Sequence, residues 1–403
     1  MSNSTNSVDY HTWQSGAVVV QGRRVRYATK PGAFAHGAVD PAMLLLAEHV
    51  RVESGEVVVH LNCGAGIFSV VAAGQGASRL MLSDRNVVSH AAASRTLAVN
   101  DVGDSTLWLG HGTHGLMNAA HEPLGADLVA IRIPHEKLAL LQLLRDAWHA
   151  LRMGGRCVVV GATNEGIKSA ARMLERIFGA AQVLAGEGGY RLVQSRKQHD
   201  ILPALEELAV PYLAYDAFHE LTVTLRGAPH TLFTRPGVFS WEHLDEATGI
   251  LADVLTVPVG ASVLDLGCGS GALGLVAAQL SGGAALTMVD ADVEAVRSAQ
   301  RTAGAAGLVG SRAMASDIGS AVLHERFDMV VSNPPFHIGK ATALNVPTQF
   351  MRDAHTVLNA GGRLMLVANR TLPYEGILSS LFGNCRTVHD GPRFKVLQAE
   401  KAT

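Results

Sequence analysis

The segment "NPPFH" at 333–337 has the residue types needed to hold a planar amino group. Two successive prolines lack backbone amide donors, so their surroundings present carbonyl acceptors, and the side-chain oxygen of Asn333 adds another. Two acceptors around one point would bind both hydrogens of an NH2 group and turn the nitrogen lone pair toward an electrophile. Methyl transfer from a sulfonium needs little beyond such in-line positioning. The ring of Phe336 could stack on a flipped base. The predicted catalytic residues are Asn333, Pro334, Pro335 and Phe336.

A glycine-rich segment, "DLGCGSG" at 265–271, is typical of a strand-to-helix turn at which a ligand approaches the backbone. Asp265 ends the predicted strand, where a carboxylate would repel a pyrophosphate but could bind the ammonium of an amino-acid-bearing cofactor. Asp290 closes the next predicted strand and could accept ribose hydroxyls. Asp317 ends the third, within reach of an adenine amine. Because the three carboxylates stand at successive strand ends, we expect them to bind a nucleoside-type cofactor and not to be merely solvated acids of loops.

The same turn also fits the pattern GxGxxA, which is found in dinucleotide-binding folds. A NAD-dependent oxidoreductase is therefore an alternative, although it offers no role for Asn333. A non-catalytic RNA-binding or ribosome-assembly protein is a further alternative, against which the intact motifs argue.

Composition limits the class of protein. The chain has 403 residues, 48% hydrophobic and 17% charged, which suffices for two or three domains with separate cores. Its polar first residues and the lack of about 18 uninterrupted apolar residues predict a cytoplasmic protein without a membrane span. Four scattered cysteines, with no CxxC pair, predict no metal site. The net charge of −2 argues against nonspecific coating of nucleic acid.

The chain repeats itself at a spacing of 205 positions. "TKPGAF", which starts at residue 29, matches "TRPGVF", which starts at residue 234, and Asp40 falls on Asp245. Such a constant spacing over many matches predicts two homologous domains, 1–200 and 206–403.

Each copy alternates short apolar runs with Ala/Leu-rich segments, which predicts alternating strands and helices. The predicted fold class is α/β: two tandem Rossmann-like domains, each a mostly parallel sheet flanked by helices, the first degenerate. In the second copy the predicted strands are 261–267, 285–290, 327–333 and 363–369, and the predicted helices are 271–280, 293–307 and one beginning near Pro347.

The first copy has lost the residues to which chemistry was assigned in the second. A cationic or protonated side chain cannot accept hydrogen bonds from an amine, so we expect no second active site. The replacements are His60 for Asp265, Asn62 for Gly267, Arg132 for Asn333, Ile133 for Pro334 and His135 for Phe336.

Charge also differs between the halves. Residues 1–200 hold 19 Lys and Arg against 16 Asp and Glu, whereas residues 201–403 hold 14 against 19. We expect the less acidic half to recognise structured RNA through residues such as Arg23, Arg24 and Arg26, or else to stabilise the second half structurally.

"DLGCGSG", "VDAD" at 289–292, "SDIG" at 316–319, "NPPFH" and "VANRTLPYE" at 367–375 resemble class I S-adenosylmethionine-dependent methyltransferases, and specifically the bacterial ribosomal RNA guanine-N2 methyltransferases. The resemblance covers essentially the whole chain, because that family carries a degenerate amino-terminal copy of its catalytic domain. The segment at 234–255 is also similar to the family's lead-in to the catalytic domain.

The resemblance implies S-adenosyl-L-methionine as cofactor, no metal, and a guanine amino group held by 333–336. It also implies polar or basic residues near the cleft. The implied cofactor residues are Asp265, Gly267, Gly269 and Gly271 for the methionine part, Asp290 for the ribose, Asp317 for the adenine, and Asn333; the implied substrate residues are His337, Lys340, Arg370 and Lys395.

The expected substrate is one guanine of ribosomal RNA, with 16S favoured over 23S, either as naked RNA or in an assembled subunit. Adenine N6 and the amide of protein glutamine are alternatives, because both are planar NH2 groups that the motif would also fit. The expected oligomeric state is a monomer.

Overall fold

The computed structural model describes residues 10–33, 38–117, 124–335 and 344–403. The chain divides into two compact units, Met1–Ala217 and Phe218–Thr403. Leu208 and Leu213, which follow the last strand of the first unit, are buried in that unit's hydrophobic core. Among the described residues, no helix combines the length and apolar character needed to cross a membrane.

The first unit begins with a β-hairpin and continues as alternating strands and helices. Its elements are β1 (Gln14–Val20), β2 (Arg23–Thr29), α1 (Pro41–His49), β3 (Val57–Leu61), α2 (Ile67–Gly74), β4 (Arg79–Asp84), α3 (Val87–Val99), β5 (Ser105–Leu109), β6 (Ala126–Arg132), α4 (Lys137–Ala150), β7 (Leu151–Ala162), α5 (Ile167–Phe178), β8 (Gln182–Glu187) and β9 (Tyr190–Arg196).

The second unit repeats this order. Its elements are β10 (His219–Leu225), β11 (Ala228–Thr234), α6 (Glu246–Val254), β12 (Val263–Leu266), α7 (Ala272–Leu280), β13 (Leu286–Asp290), α8 (Val293–Ala305), β14 (Arg312–Ala315), β15 (Phe327–Ser332), α9 (Asn345–Val357), β16 (Leu358–Asn369), α10 (Tyr374–Phe382), β17 (Arg386–Asp390) and β18 (Phe394–Glu400).

Each unit contains a seven-stranded sheet with the same topology. The strand orders are β5-β4-β3-β6-β7-β9-β8 and β14-β13-β12-β15-β16-β18-β17. In each sheet the first five strands run parallel and the last two pair antiparallel. The predicted fold class is confirmed, and the sequence repeat corresponds to a repeat of architecture.

The central strands follow from their sequences. All four residues of β12 are buried, as are the last four of β3, because parallel strands covered by helices on both faces need continuous apolar runs. Helix α8 packs its small residues Ala295, Ala299 and Ala303 inward. The side chain of Asp292 caps this helix by accepting a hydrogen bond from the Glu294 amide.

The hairpins β1–β2 and β10–β11 were not predicted from the sequence. Both hairpins turn on a residue pair with positive φ, Gln21-Gly22 and Arg226-Gly227, as a tight two-residue turn requires. Gln and Arg are uncommon in that conformation, so the turns lacked the usual Asn-Gly signal.

The topology brings the carboxyl ends of β12 and β15 together. The chain builds β12, β13 and β14 outward in one direction and then returns to place β15 on the other side of β12. Such a reversal opens a crevice at the carboxyl edge of the sheet, where open α/β folds bind ligands. Asp265 of β12 lies in register with Val331 of β15, one residue before the strand ends.

Candidate active site

Asp265 presents one unused carboxylate oxygen at the end of β12. The side chain is fully buried, and its Oδ2 accepts a 2.7 Å hydrogen bond from the Gly274 amide. Its Oδ1 has no hydrogen-bond partner among the described residues. Burial, together with the nearby negative charge of Asp290, raises the pKa of Asp265 to about 7. The carboxylate is therefore suited to bind a cation that would restore its ionised form.

The Asp265 carboxylate can lie against helix α7 because residue 274 of that helix is a glycine and has no side chain. A Cβ added at Gly274 would lie 3.0 Å from Asp265 Oδ2 and 3.2 Å from the sulfur of Met288. In the first unit the matching pair is His60 and Ser69, whose Nδ1 and Oγ are 2.8 Å apart. Burial lowers the pKa of His60 to about 3, so its imidazole is neutral.

The glycine turn after β12 adopts backbone conformations that other residues rarely adopt. Gly267, Gly269 and Gly271 all have positive φ, and a Cβ at Gly267 would lie 3.0 Å from the Phe350 ring. At the first-unit position of Gly267, Asn62 adopts φ 53° and donates from Nδ2 to the carbonyl of Arg132. Its side chain thus connects the ends of β3 and β6, where the second unit leaves a gap.

Asp290 and Asp317 lie along the same edge of the sheet. The two oxygens of Asp290 accept hydrogen bonds from the Gly269 amide at 2.9 Å and the Asp292 amide at 3.0 Å. Asp317 follows β14 by two residues and is half-buried. The structure therefore brings Asp265, Asp290 and Asp317 to the ends of three neighbouring strands.

Asn333 follows β15 directly and faces the glycine turn. Its Nδ2 donates to Asp245 Oδ2 and to Thr248 Oγ1, each at 2.9 Å. Its Oδ1 is buried and has no hydrogen-bond partner within the described part of the chain. A cavity of about 50 Å3 is lined by Asn333, Asp245, Thr248 and the turn at 267–270.

The remaining predicted residues differ in placement. Pro334 is buried and Pro335 is exposed, whereas Phe336, His337 and Lys340 lie outside the described residues. Arg370 is half-exposed and pairs with Asp390 at 3.1 Å.

Lys395 is buried, and its ammonium donates to the Leu372 carbonyl at 2.7 Å and to Glu375 at 2.6 Å. Through these contacts Lys395 stabilises the start of α10. Its predicted role toward substrate stays a prediction.

Asp245 and Thr248 are site residues that were not predicted from the sequence. The repeat matches Asp245 to Asp40 without assigning either a chemical role. The signal that could have found it was an acid retained before a helix in both copies, because such an acid caps the helix and can reach a neighbouring strand end. Asp245 does cap α6, by accepting from the Thr248 amide at 2.9 Å.

In the first unit an ion-pair cluster occupies the position of Asn333. Arg132 Nε donates to Asp40 at 2.7 Å, and its two terminal nitrogens donate to the Glu165 oxygens at 2.7 and 2.8 Å. A cavity of about 230 Å3 lies beside the cluster and is larger than the one at Asn333. The three charged groups of the cluster lie in the wall of this cavity and pair with one another.

Two of the three arginines proposed to meet RNA contact helix ends. Arg23 donates to the Gly74 carbonyl at the end of α2, and Arg26 donates to the Val99 carbonyl at the end of α3. A cation there complements the helix dipole. All three side chains, including Arg24, remain exposed.

Comparison with protein families finds the same domain twice in this chain. The family model for the methyltransferase small domain matches residues 24–194 and again residues 229–398. The two matches fall on the two structural units.

Individual relatives agree with that family. Ribosomal RNA small subunit methyltransferase C of Hahella chejuensis is 34% identical over 273 residues, covering 68% of this chain and 77% of the relative. The protein of the same name from Erwinia tasmaniensis is 33% identical, covering 73% of this chain and 82% of the relative. The structure of the T. thermophilus 16S rRNA N2 G1207 methyltransferase, in complex with AdoMet and guanosine, matches with a TM-score of 0.77 at 30% identity, covering 97% and 98% of the two chains.

Arg132→Ala should destabilise the first unit, because it would leave Asp40 and Glu165 buried without their cation. The side chains of the three residues are only 9–11% exposed, and loss of one partner from such a pair costs about 3–5 kcal/mol. Denaturant unfolding would measure the loss. Arg176→Ala is a matched control, since its pair with Glu207 lies at the surface and should matter little. Equal unfolding curves for both variants would refute the account of the cluster.

Proposed function

The chain belongs to the methyltransferase small domain family and, within it, to the ribosomal RNA small subunit methyltransferase C family, and on that premise we propose that it methylates the N2 amine of a guanine in small-subunit ribosomal RNA. One observation of its structure carries the proposal. Two buried acceptor oxygens, Asp265 Oδ1 and Asn333 Oδ1, lie at adjoining strand ends without a donor among the described residues.

The site fits S-adenosylmethionine as the methyl donor. When bound, this cofactor supplies an electrophilic methyl group on a sulfonium. Asp265 would hold its ammonium, which satisfies the unused oxygen. Gly267 and Gly269 would leave room for it, Asp290 would accept hydrogen bonds from the ribose hydroxyls, and Asp317 would accept from the adenine amine.

Asn333 would hold the substrate amine. Its Oδ1 is an acceptor, whereas both Nδ2 hydrogens are already donated within the protein. A guanine N2–H donated to this oxygen would orient the nitrogen lone pair toward the methyl group, which is the alignment that transfer needs. Any planar NH2 group satisfies this acceptor, so the choice of guanine rests on family membership.

The RNA partner is part of the proposal. The relatives named above modify small-subunit ribosomal RNA by name, which favours 16S over 23S here. We further propose that the first unit contributes RNA contacts through exposed arginines such as Arg24, or else serves only to stabilise the catalytic unit. The protein would act as a monomer, on naked RNA or on an assembled subunit.

Incubating the protein with labelled S-adenosylmethionine and separate 16S RNA, 23S RNA and ribosomal subunits would test the substrate. Digestion to nucleosides should yield labelled N2-methylguanosine from the small-subunit material. Label in N6-methyladenosine, or in protein alone, would contradict the proposal.

Asn333→Ala should reduce methyl transfer by about 100-fold or more while leaving cofactor affinity close to that of the wild type, because the amine loses its acceptor. Single-turnover rates and calorimetric titration with S-adenosylmethionine would separate the two quantities. Arg176→Ala, which removes a cation from a surface pair of the first unit, is the control and should keep the wild-type rate. A normal rate in Asn333→Ala would remove Asn333 from the mechanism.

Cofactor binding should depend on pH through Asp265, whose pKa of about 7 lies well above its usual range because of burial. As the pH falls through 7 the carboxylate becomes protonated and can no longer pair with the ammonium, so Kd should rise about fivefold from pH 7 to pH 6 and about tenfold for each further pH unit. Affinity should also fall above about pH 8, where the α-amino group of the cofactor loses its proton.

Titrations of Asp265→Asn and His60→Asn at several pH values would check the assignment. Asp265→Asn should bind about 10- to 100-fold more weakly and lose the pH dependence below 7, since a charge-assisted hydrogen bond is removed. His60→Asn should keep the wild-type profile. An unchanged profile in Asp265→Asn would exclude Asp265 as the ammonium ligand.

A further inference from the structure

We propose that Asp245 and Thr248 are positioning residues that fix the Asn333 amide with its oxygen toward the substrate amine. This inference rests on the proposed function, because it concerns the acceptor that would hold the guanine amine. It assigns a role in the reaction to the start of helix α6, which lies 85–88 residues from Asn333 along the chain.

A side-chain amide can be exchanged end for end with little change in shape, so its orientation must be imposed by its neighbours. The carboxylate of Asp245 can only accept hydrogen bonds when ionised, and it lies 2.9 Å from Asn333 Nδ2. A flipped amide would set Oδ1 against that carboxylate oxygen at a similar distance, with two acceptors repelling each other. Asp245 thus selects the orientation in which Oδ1 points away from it.

Thr248 uses the second hydrogen of the same amide. Its hydroxyl donates to Asp245 Oδ2 at 3.2 Å, which leaves an oxygen lone pair for Asn333 Nδ2 at 2.9 Å. The backbone amide of Thr248 donates to the same carboxylate oxygen. With both Nδ2 hydrogens committed, Oδ1 is the polar atom of the Asn333 side chain that is left to meet a substrate.

The anchor of this arrangement is a packed helix. Asp245 is the N-cap of α6, whose residues Ala247, Leu251 and Ala252 are buried. The start of the helix therefore fixes the Asp245 carboxylate. Because that carboxylate binds Asn333 Nδ2, the direction of Asn333 Oδ1 depends on α6 as well as on the backbone after β15.

The first unit provides an internal comparison. Asp40 caps α1 by accepting from the Ala42 amide at 3.0 Å, and its other oxygen accepts from Arg132 Nε at 2.7 Å. The helix-start acid therefore takes an N–H donor from the end of the central strand in both units. A guanidinium has no acceptor to offer after that contact, whereas an amide has one. The helix-start acid is Asp40 in the first unit and Asp245 in the second. An acceptor for substrate remains only in the second unit, where the partner of the acid is Asn333.

A cap alone does not explain why residue 245 is an acid. Asn or Ser would cap α6 about as well as Asp. Only a group that cannot donate excludes the flipped amide, because an Asn at 245 could satisfy either orientation of Asn333. Asp245→Asn therefore separates capping from amide orientation.

Asp245→Asn and Thr248→Val should lower the single-turnover rate of methyl transfer by about 10- to 100-fold, because the acceptor is no longer held in line. The Kd for S-adenosylmethionine should stay near the wild-type value. Thr248→Ser, which keeps the hydroxyl, should restore most of the rate. Asp253→Asn, which removes an exposed charge near the other end of α6, is the matched control. A wild-type rate in Asp245→Asn, with thermal unfolding unchanged, would overturn the proposal.

Nuclear magnetic resonance of the Asn333 side-chain NH2 gives a readout independent of activity. Both Nδ2 protons should exchange slowly with water in the wild type, and faster in Asp245→Asn. Rapid exchange in the wild type would overturn the assigned contacts. Slow exchange in a protein that transfers no methyl group to any ribosomal RNA would refute the proposed function and leave the fixed amide standing.

Discussion

A buried hydrogen-bond acceptor needs a donor, and this requirement determines what the ends of the central strands in the second unit can bind. An unpaired buried polar group costs about 1–3 kcal/mol, so protein interiors rarely keep one. The second unit keeps two at adjoining strand ends, Asp265 Oδ1 and Asn333 Oδ1, among its described residues. In the first unit the same positions hold a guanidinium at Arg132, already paired with two carboxylates, and a neutral imidazole at His60. The His60 Nδ1 contacts Ser69 Oγ, and its Nε2 is buried without a partner among the described residues, so neither position presents an unpaired carboxyl or amide oxygen. In the proposed complex the two oxygens accept from two different molecules, the cofactor ammonium at Asp265 and the substrate amine at Asn333.

The scaffold is common to both units, so fold alone does not decide function. Each sheet has the same strand order, each central strand ends in a glycine turn, and Asp84 in the first unit accepts from the Gly64 and Asn86 amides as Asp290 does from its own turn. The difference lies in a few side chains. Ser69 replaces Gly274 next to the strand-end residue, and Asn62 extends across the gap that Gly267 leaves open.

Much of the site could be predicted from sequence, because each of its acids follows an apolar run that forms a parallel strand. Asn333 was predicted from its prolines and the three acids from their strand ends, and the structure places all four at one edge of the sheet. The contacts with Asp245 and Thr248 could not be predicted, since they join residues that the fold alone brings together. The requirement for glycine at 274 could not be predicted either, since it follows from the position of the Asp265 oxygen in the folded chain. The hairpin turns at Gln21 and Arg226 could not be predicted from the sequence, because these residue types rarely adopt positive φ.

Among the described residues we assign S-adenosylmethionine to the second unit alone, so the stoichiometry of cofactor binding tests this assignment most directly. Calorimetric titration of the full chain should give one equivalent of cofactor bound per chain. It is best done near pH 7.5, between the pKa of Asp265 and that of the cofactor α-amino group. The Asp265→Ala variant should bind with greatly reduced affinity. Two equivalents per chain, or one equivalent that persists unchanged in Asp265→Ala, would contradict the assignment of the site.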